Sequence, residues 1–214
     1  MKDFAVLFDL DGVVFDTEPQ YTNFWAEIGK YYFPQRKDFA IEIKGHTLTE
    51  VLAKEFADYQ CDWQKIEQAL YDMEKNMTLP FLAGVEDFIE QLHSEGVEIC
   101  LVTSSDAIKM QSVAEKCPKI KQYFPKMVIA SDVKHSKPAP DGYLLGAQKC
   151  NMEASRCIVF EDSLAGIQAG KSAGMKVVGL ATTNAEQVLE DKVDRVIKDF
   201  TTITIQDIEA ILNE

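Results

Sequence analysis

Val6-Leu7-Phe8-Asp9-Leu10-Asp11-Gly12 is the stretch that decides the fold. Its opening apolar side chains, preceded by Phe4 and Ala5, predict a strand covered on both faces rather than one with a wet side. Two carboxylates two residues apart close it. Residues i and i+2 of an extended segment share a side, so Asp9 and Asp11 can face one site, and Gly12 permits a turn without a Cβ. In an α/β sheet, ligands bind at the carboxyl ends of the strands, which is where this pair falls. Taken alone, D-x-D-G also suits a calcium loop or a solvated strand end beside a turn glycine.

The surrounding chain extends the pattern. Short apolar runs recur at 4–8, 97–103, 127–130, 157–160, 175–180 and 195–197. Helical spacing separates the later ones. Val85, Phe88, Ile89 and Leu92 share one face of a helix ending at Gly96. Tyr143, Leu144, Leu145 and Ala147 begin another after Asp141, and Ile205, Ile208, Ile211 and Leu212 mark a C-terminal one. Strand–helix alternation of this kind predicts a doubly wound, Rossmann-like parallel sheet.

The first strand is followed by no other for about 80 residues. Residues 17–80 instead predict helices at 18–32, near 48–59 and near 63–77, punctuated by Pro34, Gly45 and Pro80. The expected organisation is an α/β core, 1–16 and 81–214, with a small all-helical cap subdomain, 17–80, inserted after the first strand. Phe24, Trp25, Tyr31, Tyr32 and Phe33 read as the core of that insertion.

Charge narrows the partners. The 214 residues carry 22 basic and 35 acidic side chains, a net charge of -13. Such a surface repels nucleic acid and anionic lipid, but a local cationic site can still take a small anion, because salt screens distant charges over about 8–10 Å. No apolar stretch approaches the ~20 residues of a membrane span, and Met1-Lys2-Asp3-Phe4 has no signal-peptide character. Cys61, Cys100, Cys117, Cys150 and Cys157 are scattered and form no C-x-x-C pair, which predicts reduced thiols and a cytoplasmic setting. The sequence leaves the oligomeric state open, a monomer included.

Three further strand ends carry chemistry. Phe160-Glu161-Asp162-Ser163 adds two oxygen donors of the kind hard divalent cations select. The small residues after it, Gly166, Ala169, Gly170 and Gly174, read as close helix–sheet packing. Val102-Thr103-Ser104-Ser105-Asp106 runs from a strand into hydroxyls and a helix start, which is either an anion site or an ordinary cap. Ser136-Lys137-Pro138-Ala139-Pro140-Asp141 holds a lysine between prolines. Together the four ends supply a nucleophile, a proton carrier, phosphate ligands, a cation and a metal seat, the parts that phosphoryl transfer needs.

In that order, F-D-L-D-G-V, L-V-T-S-S, S-K-P-A-P-D and F-E-D-S-x-x-G-I-x-A-G resemble the haloacid dehalogenase-like superfamily, in its β-phosphoglucomutase-like phosphatase branch, over nearly the whole chain. The resemblance implies that Asp9 takes the phosphoryl group. It implies that Asp11 protonates the leaving oxygen and then activates water. It assigns phosphate binding to Thr103, Ser104 and Lys137, and a Mg²⁺ seat to Asp9, the Asp11 carbonyl, Glu161 and Asp162. It also implies a small phosphorylated metabolite, a sugar or polyol phosphate, whose leaving group meets the cap near Glu18, Tyr21, His46 and Thr47.

Other readings stay open. A β-phosphoglucomutase has a cap arginine aligned with Leu48 and a histidine aligned with Tyr21, and both are missing from this chain. A 2-haloacid dehalogenase would leave Asp11, Glu161 and Asp162 without a task. A non-catalytic phosphate-binding protein on the same fold would need none of the catalytic types present.

Overall fold

The computed structural model describes residues 2–44 and 48–214. The chain divides into two units, Thr17–Thr78 and the pair of segments Met1–Asp16 and Leu79–Glu214.

The smaller unit is helical: α1 (Glu18–Tyr32), α2 (Phe39–Glu42), α3 (Leu48–Glu55) and α4 (Trp63–Asn76). Phe39, Ile43, Val51, Leu52, Phe56 and Ile66 form its buried centre, with Trp25, Tyr32, Phe33 and Leu48 packed against them. Tyr32 and Phe33 both meet the Phe56 ring, at 5.2 and 5.0 Å. Tyr31 departs from the expected aromatic core and is exposed. Tyr32 takes the inward side of α1, and Tyr31, one step of about 100° away, falls on its outer side. The helix expected across 48–59 stops at Glu55, and a 3₁₀ segment, Ala57–Asp62, follows, with Tyr59 outside helical geometry (φ -118, ψ 31).

The larger unit holds β1 (Ala5–Phe8), β2 (Glu98–Val102), β3 (Met127–Val128), β4 (Cys157–Glu161), β5 (Lys176–Leu180) and β6 (Arg195–Ile197). They make one six-stranded sheet in the order β3-β2-β1-β4-β5-β6, parallel throughout. Its helices are α5 (Val85–Ser94), α6 (Ala107–Lys116), α7 (Ile120–Tyr123), α8 (Asp141–Lys149), α9 (Leu164–Ser172), α10 (Glu186–Leu189) and α11 (Ile205–Asn213). This is the doubly wound α/β fold. β3 is shorter than the apolar run that announced it, because the chain turns into a 3₁₀ segment at Ala130.

The chain builds the sheet from β1 to one edge, then returns across it to start β4. The direction of winding therefore reverses between β1 and β4, the place where such sheets hold ligands. Register decides what meets there. Phe8 pairs with Phe160 on β4 and Leu101 on β2. Both phenylalanines are fully buried and stack at 5.2 Å. Each contributes roughly 1.5–3 kcal/mol by burial alone. Their successors, Asp9 and Glu161, consequently leave the sheet at the same height. No helix among the described residues is long and apolar enough to cross a membrane.

Candidate active site

Asp9 extends β1 by one hydrogen bond, its amide donating to the Phe160 carbonyl (3.0 Å). Its side chain is buried. Lys137 reaches it from the segment before α8, with Nζ 2.6 Å from Asp9 Oδ1. The same ammonium donates to Glu161 Oε1 (2.6 Å) and to the Val102 carbonyl (3.0 Å). A lysine has three donors, and these contacts engage all of them. Burial pulls the Lys137 ammonium down, but Asp9 and Glu161 more than reverse this and hold it charged. Burial pushes the Asp9 carboxyl up to about 7, with Glu161 adding to the rise and Lys137 opposing it.

Glu161 is fully enclosed. Its Oε1 accepts from Lys137 and from the Tyr143 hydroxyl (2.9 Å), and its Oε2 from the Asp162 amide, the Ser163 amide and the Ser163 hydroxyl, each at 3.0 Å. Burial and Glu161 keep the Tyr143 phenol protonated, well above its usual range. Gly166 makes room for this carboxylate, since a Cβ there would lie 1.7 Å from Oε1. The small residues of α9 thus serve the site as well as the packing of the helix.

Asp162 sits against the first loop. The Thr183 hydroxyl donates to its Oδ2, and the Asn184 amide donates to its carbonyl (2.9 Å). Thr182 bonds the Gly12 carbonyl (2.7 Å). Asp9, Glu161 and Asp162 each present a buried carboxylate oxygen, all within 4.8 Å of one another. Three hard oxygen donors gathered this closely fit a divalent cation. Glu161 has five hydrogen bonds already, so Asp9 and Asp162 are the acids better placed to bind one directly.

Asp11 directs its side chain towards the start of α6. Its Oδ2 receives a hydrogen bond from Lys109 Nζ (2.5 Å), a lysine on the first turn of α6 whose side chain is 8% exposed. Thr103 is buried, and its hydroxyl donates to Ser105 Oγ (3.0 Å) and accepts from the Ser105 amide (3.1 Å). Ser104 is exposed at the same strand end. Within the helical unit, Glu18 lies 3.4 Å from Lys44, and the Tyr21 hydroxyl donates to Glu74 (2.7 Å). His46 and Thr47 lie outside the described residues.

Sequence reasoning missed Lys109, the hydroxyl of Tyr143, and Thr182, Thr183 and Asn184. Only Lys109 carried a signal. A cation in the first turn of a helix opposes the macrodipole, and so local preference alone does not explain it.

Residues 6–180 match the model of the haloacid dehalogenase-like hydrolases. The chain is 30% identical to the phosphorylated carbohydrates phosphatase of Thermotoga maritima, over 80% of this chain and 82% of that one. It is 31% identical to the validoxylamine A 7'-phosphate phosphatase of Streptomyces hygroscopicus, over 93% and 95%. Among solved structures, β-phosphoglucomutase from Clostridium difficile superposes with a TM-score of 0.78 at 25% identity, over 100% of this chain and 98% of that one. The chain belongs to the haloacid dehalogenase-like hydrolase family, in the branch that resembles β-phosphoglucomutase. By class it is a phosphoric monoester hydrolase.

Proposed function

We propose that this protein is a Mg²⁺-dependent phosphatase that hydrolyses a small phosphorylated metabolite, a sugar or polyol phosphate, through a phospho-aspartyl intermediate on Asp9. One observation carries the reading: a buried carboxylate at the winding reversal of the sheet, 2.6 Å from the half-buried Lys137 and within 4.8 Å of two further acids.

Asp9 attacks phosphorus as the bond to the leaving oxygen breaks, and Asp11 gives that oxygen its proton. Asp11 then takes a proton from water, which attacks phosphorus and releases Asp9. Lys137, largely screened from solvent, orients Asp9 and offsets the charge of the phosphoryl group. Thr103 and Ser104 stand at the neighbouring strand end to bind its oxygens. Glu161 holds Lys137 in place, and Asp9, the Asp11 carbonyl and Asp162 would hold the metal. When bound, Mg²⁺ supplies the positive charge that lets a carboxylate approach an anionic ester.

The helical unit, inserted directly after the strand that bears Asp9, is the substrate-selecting cap in this reading, with Glu18, Tyr21, His46 and Thr47 as its candidate contacts. Five unpaired thiols fit a cytoplasmic enzyme. A phosphohexomutase is the alternative, and the similarity to β-phosphoglucomutase favours it. Against it, Leu48 packs on the apolar centre of the helical unit, and the two similar proteins are phosphatases by name. A generic aryl phosphate assay tests the reading. Turnover should require Mg²⁺ and fall by at least about 10³-fold in Asp9→Asn, the scale of losing a nucleophile. Residual activity within tenfold of wild type would contradict it.

A further inference from the structure

Lys109 occupies a position that two physical effects oppose. Its ammonium is buried, with 8% of the side chain exposed, and burial of a charge is costly unless it is paired. It also sits three residues after the Asp106 helix cap, at the positive end of the α6 macrodipole. A lysine retained under both conditions needs a strong anionic contact, and Asp11 Oδ2 at 2.5 Å provides one. The pair joins two strand ends, since α6 begins directly after the Thr103–Ser105 segment and Asp11 follows β1. Lys137 is fully engaged with Asp9, Glu161 and Val102, so the cation that meets Asp11 is Lys109.

We propose that Lys109 is the positioning residue for Asp11, holding its carboxyl group in the one orientation from which it can pass a proton to the leaving oxygen. The inference rests on the phosphatase reading and deepens it. Proton transfer needs heavy atoms about 2.6–3.2 Å apart. The buried Lys109 ammonium holds the Asp11 carboxyl group from the first turn of α6. Without it, the bond from phosphorus to the leaving oxygen still breaks, but that oxygen departs unprotonated. The loss should therefore grow with the basicity of the leaving group. A lysine that only binds phosphate or supports folding would slow all esters alike.

The test compares wild type, Lys109→Met and Lys109→Arg on two probes, 4-nitrophenyl phosphate and phenyl phosphate. The first releases a stabilised phenolate. The second releases a phenolate about as basic as that of tyrosine, pKa ~10. kcat/KM reports the step in which the leaving group departs, and the ratio of the two values is independent of how much protein is folded. Lys109→Met should lose roughly 10²-fold on phenyl phosphate, the lower end of general acid catalysis, and at least tenfold less on the nitrophenyl ester. Lys109→Arg should keep the wild-type ratio even where both values fall. An unchanged ratio in Lys109→Met overturns the proposal. Wild-type protein that turns over neither ester is a separate result, and it removes the phosphatase reading and this inference together.

Discussion

Gly12 and Asp162 approach so closely that a Cβ on the glycine would lie 2.1 Å from the Asp162 Oδ2 oxygen. Gly12 also has φ +74, where a side chain is strained. The loop after β1 therefore buttresses the acid at the end of β4, and Thr182 and Thr183 close the arrangement from the end of β5. Partners of this kind set metal affinity about 10–100-fold when removed. Thr183→Val should weaken Mg²⁺ binding by that factor, and Gly12→Ala by more. Calorimetric titration of Mg²⁺ into each folded variant checks this, and wild-type affinity in both would contradict it.

Tyr143 tests how far the enclosed Glu161 depends on each donor. Removing its hydroxyl leaves Glu161 Oε1 with Lys137 alone. A hydrogen bond to a charged group contributes roughly 1.5–3 kcal/mol. Tyr143→Phe should lower stability by about that amount in urea unfolding, with an unchanged slope.

Much of this centre was legible in the sequence. Continuous apolar runs ending in Asp9, Thr103 and Glu161 mark strands by burial on both faces, and burial on both faces is a local property of composition. Lys137 was legible from its prolines. Thr182–Asn184 were not, because a Thr-Thr-Asn loop has the composition of an ordinary surface, and Lys109 left only the mark of a cation set against the helix macrodipole, which names no partner. What brings them to Asp11 and Asp162 is the register of strands far apart in the chain. The same limit hid α2, α7 and α10, each a single turn that no periodicity can reveal. Gly166 was misread as packing alone because its use depends on where the Glu161 carboxylate folds.

The C-terminal helix gives a pH prediction. Arg195 first, and the Thr204 hydroxyl and amide next, hold the Asp207 carboxyl down at about 2. A carboxyl lowered in the folded state adds stability above its unfolded pKa of ~3.9, and that contribution fades as pH falls towards 2. Asp207→Asn should cost about 0.5–1 kcal/mol at neutral pH, the size of a partly exposed cap and ion pair. The gap to wild type should narrow steadily in melts taken at decreasing pH.

Leu48 separates phosphatase from mutase. A mutase must retain a bisphosphate while it reorients, which calls for a cation able to make charge-assisted bonds to the distal phosphate. Leu48 is packed against the apolar centre of its unit, Lys44 lies 3.4 Å from Glu18, and Lys54 lies 4.0 Å from Glu55. Supplied with β-glucose 1-phosphate and primed with the 1,6-bisphosphate, the protein should release inorganic phosphate faster than it forms glucose 6-phosphate. A coupled dehydrogenase assay measures the second rate, and isomerisation outpacing release would favour the mutase.

The central claim is that Asp9 becomes covalently phosphorylated. Acid quenching during steady-state turnover of 4-nitrophenyl phosphate with Mg²⁺, followed by mass spectrometry of the peptides, tests it most directly. The account predicts a phosphoryl adduct on Asp9 that appears only with substrate and is absent in Asp9→Asn. Full turnover with no adduct on Asp9, or with the adduct on another residue, would contradict it.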